Sequence, residues 1–221
     1  MSLKNKILVV AAHADDETLG CGGTLLKHKA HGDKIHWLIC TTLNKKNSYY
    51  KKREKELSKV SKLFNFDSVN NLPFETTKVD HYSMSELIEK ISKVINKVKP
   101  NILYLPFKED VHTDHKKLFE ASYSCTKSFR YSFIKKIYMM ETLSETDFAP
   151  SIKKESFIPN TFIDISRYMK KKIQIMKVYK SEIKKHPFPR SEKSIRALAT
   201  FRGSSSGCKF AESFMLLKEI S

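Results

Sequence analysis

The stretch Ile7-Leu-Val-Val-Ala-Ala-His13-Ala-Asp15-Asp16-Glu17-Thr-Leu-Gly-Cys-Gly-Gly-Thr24 decides the fold. It starts with a short apolar run rich in β-branched residues, which predicts a buried strand. One histidine and three consecutive acids follow directly, and residues 25–28 then begin an apolar spacing that predicts a helix. A strand, a polar turn and a helix in that order place the polar residues at the carboxyl end of a strand. Open α/β sheets bind their ligands at that end.

Three of the chain's six glycines, Gly20, Gly22 and Gly23, lie in the same stretch. Because glycine has no side chain, this clustering predicts a backbone that turns sharply or approaches another group closely. A surface turn rich in acids would contain similar residues, but three adjacent carboxylates would repel one another there without a compensating contact. We therefore interpret the stretch as part of a functional site.

Segments with strand-like and helix-like patterns alternate along the rest of the chain. The predicted strands after the first cover residues 35–41, 68–72, 101–105, 134–140 and, as the last one, 161–165. The predicted helices cover residues 49–63, 83–99, 114–124 and 167–183. This alternation predicts an α/β fold with a Rossmann-like, doubly wound, mostly parallel sheet and helices on both faces. With no internal repeat or low-complexity linker, residues 1–221 are predicted to form a single domain.

A second polar cluster, Asp110-Val-His112-Thr-Asp114-His115, follows the strand predicted at residues 101–105. The carboxyl ends of parallel strands share one edge of a sheet, so the two clusters are expected to meet. His13 and Asp16 from the first cluster, with His115 from the second, form a set of two histidines and one carboxylate. Such a set suits a catalytic zinc site, which keeps one coordination position open for water. A lone histidine would be explained as a turn or capping residue, but two clusters at one edge favour a metal site.

The charge of the chain has two explanations. The formal net charge is +17, from 41 basic and 24 acidic residues, which is compatible with an anionic partner such as nucleic acid. The lysines are spread along the chain, however, and no RNA-binding aromatic pattern accompanies them. We therefore attribute the charge to solvated lysine-rich helix faces and predict no nucleic-acid partner.

Composition also bears on membranes and on the compartment. No run approaches the roughly 18 to 20 apolar residues of a membrane span, so we predict no stable membrane insertion. The first residues do not have the pattern of a signal peptide. The four cysteines lie far apart and form no CxxC pair, which is typical of reduced thiols. We expect a cytoplasmic protein, and the sequence is compatible with a homo-oligomer.

The polar clusters resemble motifs of a known family. His13-Ala-Asp-Asp-Glu17 with Gly20-Cys-Gly-Gly23 resembles the H-P-D-D-E…G-x-G-G pattern of the PIG-L/LmbE-like deacetylases. These are zinc-dependent enzymes that remove N-acetyl groups from glucosamine-containing compounds. Further resemblances follow in the family's order, at Arg53-Glu-Lys-Glu56-Leu57, Asp110–His115, Pro159–Asp164 with Lys172, His186–Ser191 and Arg202–Phe214. Ala14 and Thr113 replace prolines of the family pattern at positions that are not ligands, so the chemistry is expected to persist.

The resemblance implies roles for the clustered residues. One zinc ion per chain, or ferrous iron in the cell, would be held by His13, Asp16 and His115. Asp15 would act as general base. His112, as a protonated imidazole, would stabilise the oxyanion formed in the reaction. Asp114 would orient His112 or keep it charged. The expected substrate is a small-molecule amino-sugar conjugate, cleaved to acetate and a free amine, and the sequence leaves its aglycone open.

Substrate contacts are assigned to Arg53, Glu75 and Arg190. Arg53 is a candidate for pairing with a phosphate or carboxylate of the substrate, although an arginine on a helix surface explains it equally well. Glu75 and Arg190 rest on the resemblance alone.

Four other functions share some of these features. A zinc amidase acting on another acylated amine would use the same site. A non-haem iron oxygenase also uses two histidines and a carboxylate, but usually on an all-β fold. A dinucleotide-binding module would explain the glycines, which lack G-x-G-x-x-G spacing. A non-catalytic, basic nucleic-acid-binding α/β protein would explain the charge and leave the two polar clusters without a purpose.

Overall fold

Strands and helices alternate in this computed structural model, which describes residues 4–150, 152 and 156–221. The strands are β1 (Lys6–Ala11), β2 (Lys34–Thr42), β3 (Ser68–Glu75), β4 (Ile102–Leu105), β5 (Lys136–Met140), β6 (Thr161–Asp164) and β7 (Ala211–Glu219). The helices are α1 (Asp16–Ala30), α2 (Tyr50–Phe64), α3 (Met84–Val98), α4 (Thr113–Ser124), α5 (Met169–Met176) and α6 (Glu192–Ser204), with a 3₁₀ turn at Val79–His81.

All of these strands belong to one sheet, in the order β3-β2-β1-β4-β5-β7-β6. The five strands from β3 to β5 run parallel to one another, and β7 is antiparallel to both of its neighbours. The mostly parallel, doubly wound α/β sheet predicted from the sequence is confirmed.

The C-terminal part of the chain corrects two expectations. The segment at residues 161–165 is not the last strand, because β7 follows it and inserts between β5 and β6. The β7 sequence lacks strict polar–apolar alternation, and its extended form depends on pairing with two neighbouring strands. The helix predicted over residues 167–183 stops at Met176, and the turns that follow bring the Tyr179 hydroxyl within 2.9 Å of the Glu17 carboxylate. Helix α6 was not predicted at all.

Both faces of the sheet are covered. Along β1 the side chains of Ile7 and Val9 pack into one hydrophobic core, and those of Leu8 and Val10 pack into another. Helices α1, α2, α5 and α6 contribute to the first core, and α3 and α4 contribute to the second. A strand buried on both faces needs a nearly continuous apolar run, which explains the sequence of β1.

The order of the strands fixes where a ligand can bind. β1 and β4 are adjacent and parallel, with Ile7 opposite Ile102 and Val9 opposite Tyr104. The helices that follow them, α1 and α4, pack on opposite faces of the sheet. A crevice therefore opens at the carboxyl ends of β1 and β4, and both polar clusters lie there.

The clustered glycines lie inside helix α1, which already begins at Asp16. They permit close packing and do not form a sharp turn. A Cβ at Gly20 would lie 2.9 Å from the Met140 Cβ, and a Cβ at Gly23 would lie 2.7 Å from the Ile165 Cβ. Glycine costs roughly 1 kcal/mol relative to alanine in a helix, and at these positions that cost is offset by close packing against Met140 and Ile165.

A buried ion pair braces a kink in the same helix. The kink lies at Cys21, whose φ of −145° is not helical. Glu212 of β7 accepts hydrogen bonds from the backbone N–H groups of Gly23, at 2.8 Å, and Thr24, at 2.7 Å. The Lys172 ammonium donates to Glu212 Oε1 at 2.7 Å and to the Leu19 carbonyl at 2.8 Å. The pair thus satisfies backbone groups on both sides of the kink.

Two predictions concern the chain as a whole. None of the helices in the described part of the chain combines the length and the apolarity needed to cross a bilayer. The single domain over residues 1–221 stays a prediction.

Removal of the buried cation should destabilise the fold. Lys172→Met leaves the Glu212 carboxylate buried without its partner and should lower the free energy of unfolding by about 3–5 kcal/mol, measured by urea denaturation. Lys177→Met is the matched control, because Lys177 is exposed and pairs with Glu192 at the surface, where such pairs contribute little. Adding Glu212→Gln to Lys172→Met should recover part of the loss. Equal stability of the two lysine variants would show that the buried pair does not brace the kink.

Candidate active site

The three predicted metal ligands lie together at the carboxyl ends of β1 and β4. His13 follows β1, Asp16 begins α1, and His115 lies in the first turn of α4. One ligand atom from each lies within 4.8 Å of the others. The His115 Nε2 atom is 3.3 Å from His13 Nδ1 and 3.4 Å from Asp16 Oδ2. Two chain segments about 100 residues apart therefore direct these atoms at one point.

The spacing and the supporting contacts fit a tetrahedral divalent ion. Two nitrogens bound at about 2.0 Å to a tetrahedral ion lie roughly 3.3 Å apart, which matches the two histidines. The remaining ring nitrogens are held from behind: His115 Nδ1 lies 2.8 Å from Asp110 Oδ2, and His13 Nε2 lies 3.0 Å from Asp114 Oδ2. Carboxylates in this position fix the orientation of metal-binding histidines.

The electrostatics of this point favour positive charge. Burial alone would lower the pKa of His115, but the carboxylates of Asp16 and Asp110 outweigh it and raise the pKa to about 10. A site that holds a proton so strongly is an electronegative, water-shielded position. A divalent cation would satisfy the same carboxylates.

Asp15 directly precedes Asp16 in the chain, and its carboxylate contacts a different residue, Arg190. The Asp15 backbone φ of 136° is unusual for a residue other than glycine, and such strain costs about 1–3 kcal/mol and is concentrated at functional sites. Its Oδ2 accepts a hydrogen bond from Arg190 Nη1 at 2.9 Å. Burial, and next the charge of Asp16, raise the pKa of Asp15 well above its ordinary value, while Arg190 opposes the rise. The carboxylates of Asp15 and Asp16 therefore have different partners, Arg190 and His115 respectively.

The contacts of His112 and Asp114 differ from those expected. His112 is the N-cap of α4, and its Nδ1 accepts the backbone N–H of Asp114 at 3.0 Å. Burial, and next the charge of His13, lower the pKa of His112. The Asp114 carboxylate contacts His13 and the backbone N–H groups of Thr77 and Val79, at 2.8 and 3.2 Å. Asp114 therefore contacts His112 through its backbone N–H, and an Nδ1 that accepts this bond leaves the ring proton on Nε2.

A cavity of about 210 Å³ opens over these residues. Its lining combines charged, hydroxyl, amide and apolar side chains: His13, Ala14, Asp15, Asp16, Thr41, Thr42, Leu43, Arg53, Leu57, Asn71, Thr76, His112, Glu145, Glu182 and Arg190. Hydroxyl and amide groups beside a polar centre are able to orient a ligand by hydrogen bonds.

Two of the three predicted substrate contacts lie in this lining. Arg53 donates from Nη1 to the Ala14 carbonyl at 3.1 Å and from Nη2 to Glu182 Oε1 at 2.5 Å. Arg190 also lines the cavity. Glu75 lies outside the lining, where its carboxylate accepts from Lys78 Nζ at 2.8 Å. The substrate roles of all three residues stay predictions.

Two carboxylates of the cavity, Glu145 and Glu182, were not predicted. Glu145 follows β5 and lies outside the two polar clusters that follow β1 and β4. The cavity position of Glu182 was not predicted because residues 167–183 were expected to form one helix. In the structure Glu182 lies in the turns after α5.

Related proteins share the fold over most of the chain. The diacetylchitobiose deacetylase of Thermococcus kodakarensis is 24% identical over 222 residues, which covers 94% of this chain and 81% of that protein. The solved structure of the N,N'-diacetylchitobiose deacetylase of Pyrococcus horikoshii has a TM-score of 0.78 at 20% identity, covering 97% of this chain and 84% of that one.

A hydratase has the same fold. The 4-carboxy-2-hydroxymuconate hydratase of Pseudomonas putida KT2440 has a TM-score of 0.75 at 14% identity, covering 99% of this chain and 98% of that one. Likeness at this level of identity therefore establishes the fold and leaves the reaction open.

A family assignment rests on the sequence match. The family described as GlcNAc-PI de-N-acetylase, PIG-L, matches residues 8–126, which is more than half of the 221 residues. The matched range contains most of β1, all of β4 and both polar clusters. The chain belongs to the GlcNAc-PI de-N-acetylase (PIG-L) family, which confirms the resemblance found in its motifs.

Proposed function

We propose that this protein is a metal-dependent N-deacetylase that hydrolyses an N-acetylglucosamine-type conjugate to acetate and a free amine. The observation that carries the proposal is the position of Asp15: this buried carboxylate lines the same cavity as His13 and Asp16, which together with His115 form a group that could hold a metal ion. Hydrolysis of an amide needs a base beside an electrophilic centre: Asp15 offers the base, and a metal ion held by Asp16 and the two histidines would supply the electrophilic centre. The names of the related deacetylases support the amino-sugar substrate.

The resident metal is proposed as zinc, one ion per chain, with ferrous iron as the competing ion in the cell. When bound by His13, Asp16 and His115, such an ion supplies Lewis acidity that acidifies water and polarises a carbonyl oxygen. We also propose a cytoplasmic location and a small-molecule substrate.

The residues of the chain perform the proton transfers. Asp15 takes a proton from the attacking water, and Arg190 holds the Asp15 carboxylate in place through Oδ2. His112 donates from Nε2 to the acetamide oxygen as negative charge develops there, because its Nδ1 is already occupied by a backbone N–H. Asp15 then returns the proton to the leaving nitrogen. A C–O bond forms, the C–N bond breaks, and the products are acetate and the amine.

Two of the other functions considered fit this site less well, and a third differs from the proposal only in its substrate. An iron oxygenase would have this ligand set on a different fold, and a nucleic-acid-binding protein has no use for a buried base beside a metal-ligand group. A zinc amidase for another acylated amine would share every residue of the mechanism and differ only in substrate.

Acetate release tests the proposed function. Metal-replete protein should release acetate from N,N'-diacetylchitobiose and from methyl N-acetylglucosaminide, lose this activity to a chelator and regain it with zinc. His115→Ala should lose most of the metal, because three protein ligands hold it. Hydrolysis of an acetyl-lysine peptide without hydrolysis of either sugar would favour the amidase and reject the amino-sugar proposal.

The two neighbouring aspartates should fail in different ways. Asp15→Asn should keep the fold and the metal and lose about 10² to 10⁴ in kcat, the usual contribution of a general base. Asp16→Asn should weaken metal binding, and added zinc should restore part of its activity. Metal content and kcat are measured for both variants. Loss of metal by Asp15→Asn with retention by Asp16→Asn would mean that the two roles are reversed.

Replacement of His112 should affect turnover more than binding. His112→Ala should lower kcat by about 10² to 10³ with a small change in KM, because one donor to the developing oxyanion is lost. His112→Asn is the matched variant, since its side-chain oxygen can still cap α4 by accepting the Asp114 N–H. If both variants fold, keep their metal and turn over normally, His112 has no part in the reaction.

A further inference from the structure

A glutamate lies between the two arginines of the cavity. Glu182 Oε1 accepts from Arg53 Nη2 at 2.5 Å, and Glu182 Oε2 lies 3.3 Å from Arg190 Nη1. The side chains of Arg53, Glu182 and Arg190 are 13, 22 and 24% exposed, so solvent screens their charges only in part. All three residues line the cavity that is also lined by two of the proposed metal ligands, His13 and Asp16.

The charge of each arginine is matched inside the protein. Besides Glu182, Arg53 has Glu56 Oε2 at 3.6 Å from its Nε, and Arg190 has the Asp15 carboxylate at 2.9 Å. Burial would raise the pKa of Glu182, but the Ser181 hydrogen bond and the charge of Arg53 outweigh it and hold the pKa below its ordinary value. Glu182 is therefore an anion at neutral pH.

This arrangement has a consequence for the substrate. We propose that Glu182 makes the cavity selective for amino-sugar conjugates that carry no phosphate or carboxylate beside the sugar. An anionic group placed at Arg53 would lie next to the Glu182 carboxylate, and like charges repel strongly in a partly buried site. Uncharged sugar hydroxyls meet no such penalty, and the hydroxyl and amide groups of Thr41, Asn71 and Thr76 line the same cavity. This inference rests on the proposed function, and it reverses the expectation that Arg53 grips an anionic aglycone.

Selectivity is measured with two ligands that differ only in charge. They are the carboxymethyl glycoside of glucosamine and its carboxamide, which lack the acetyl group and therefore cannot be turned over. Both are titrated calorimetrically into the 221-residue chain as purified, and the readout is the ratio of their dissociation constants. The wild type should bind the carboxylate no more tightly than the carboxamide. Glu182→Gln should improve carboxylate binding about 10-fold relative to the carboxamide, since Arg53 then lacks its principal counter-ion.

Matched variants separate this effect from a general change of charge. Glu192→Gln also removes a glutamate that pairs with two cations, Lys177 and Arg196, but outside the cavity lining, so the ratio should stay at the wild-type value. Adding Arg53→Met to Glu182→Gln should abolish the gain. Circular dichroism checks folding, and Glu182→Ala serves as a second variant with the same expected direction.

Three outcomes would overturn the proposal: a wild type that prefers the carboxylate about 10-fold, an unchanged ratio in both Glu182 variants, or an equal shift in Glu192→Gln. Each is a binding result and needs no turnover. Failure of the wild type to release acetate from any amino sugar would instead refute the proposed function and leave this ratio measurable.

Discussion

The candidate site depends on the parallel pairing of β1 with β4. This pairing places the chain after Ala11 beside the chain after Leu105, although the two segments are almost a hundred residues apart. The helices that follow them leave on opposite faces, so the loops diverge and a crevice remains between them. The first cluster supplies His13 and Asp16, and the second supplies His115, so neither cluster contains all three residues. The group of His13, Asp16 and His115, which could hold a metal ion, exists only because the sheet joins the two clusters.

Buried charge is the second constraint on this architecture. Asp15, Asp16, Asp110, Asp114 and His115 are nearly inaccessible to solvent, and uncompensated burial of ionised groups is costly. Each is therefore paired with a group of opposite character: Asp110 with His115, Asp114 with His13 and Asp15 with Arg190. Asp16 faces His115, and its remaining charge would be matched by a divalent cation bound at that point. The same need for a partner explains two contacts of Asp114. Its carboxylate bonds to the His13 ring, and its backbone N–H donates to His112 Nδ1.

The sequence predicted those features that depend on local pattern. The apolar run of β1, the amphipathic spacing of α3 and the alternation of elements were sufficient for the α/β class, and polar residues after β1 and β4 located the crevice. Features that depend on distant contacts were not predictable in this way. β7 is a strand because β5 and β6 flank it, and the glycines of α1 are explained by Met140 and Ile165, which lie far away in the sequence. The turns after α5 also depend on distant contacts, so the position of Glu182 was not predicted from the sequence.

The charge of the whole chain and the charge of the cavity are separate quantities. A net charge of +17 suggests an affinity for anions, yet exposed charges farther away than about 8–10 Å are largely screened at physiological ionic strength. Inside the cavity the local partners decide, and there Glu182 and Asp15 match Arg53 and Arg190. An arginine identified from the sequence alone therefore predicts a positive charge and does not predict whether that charge is available to a ligand. In this protein the charges of both arginines face carboxylates from elsewhere in the chain, and Glu182, in the turns between α5 and α6, is the one that contacts both.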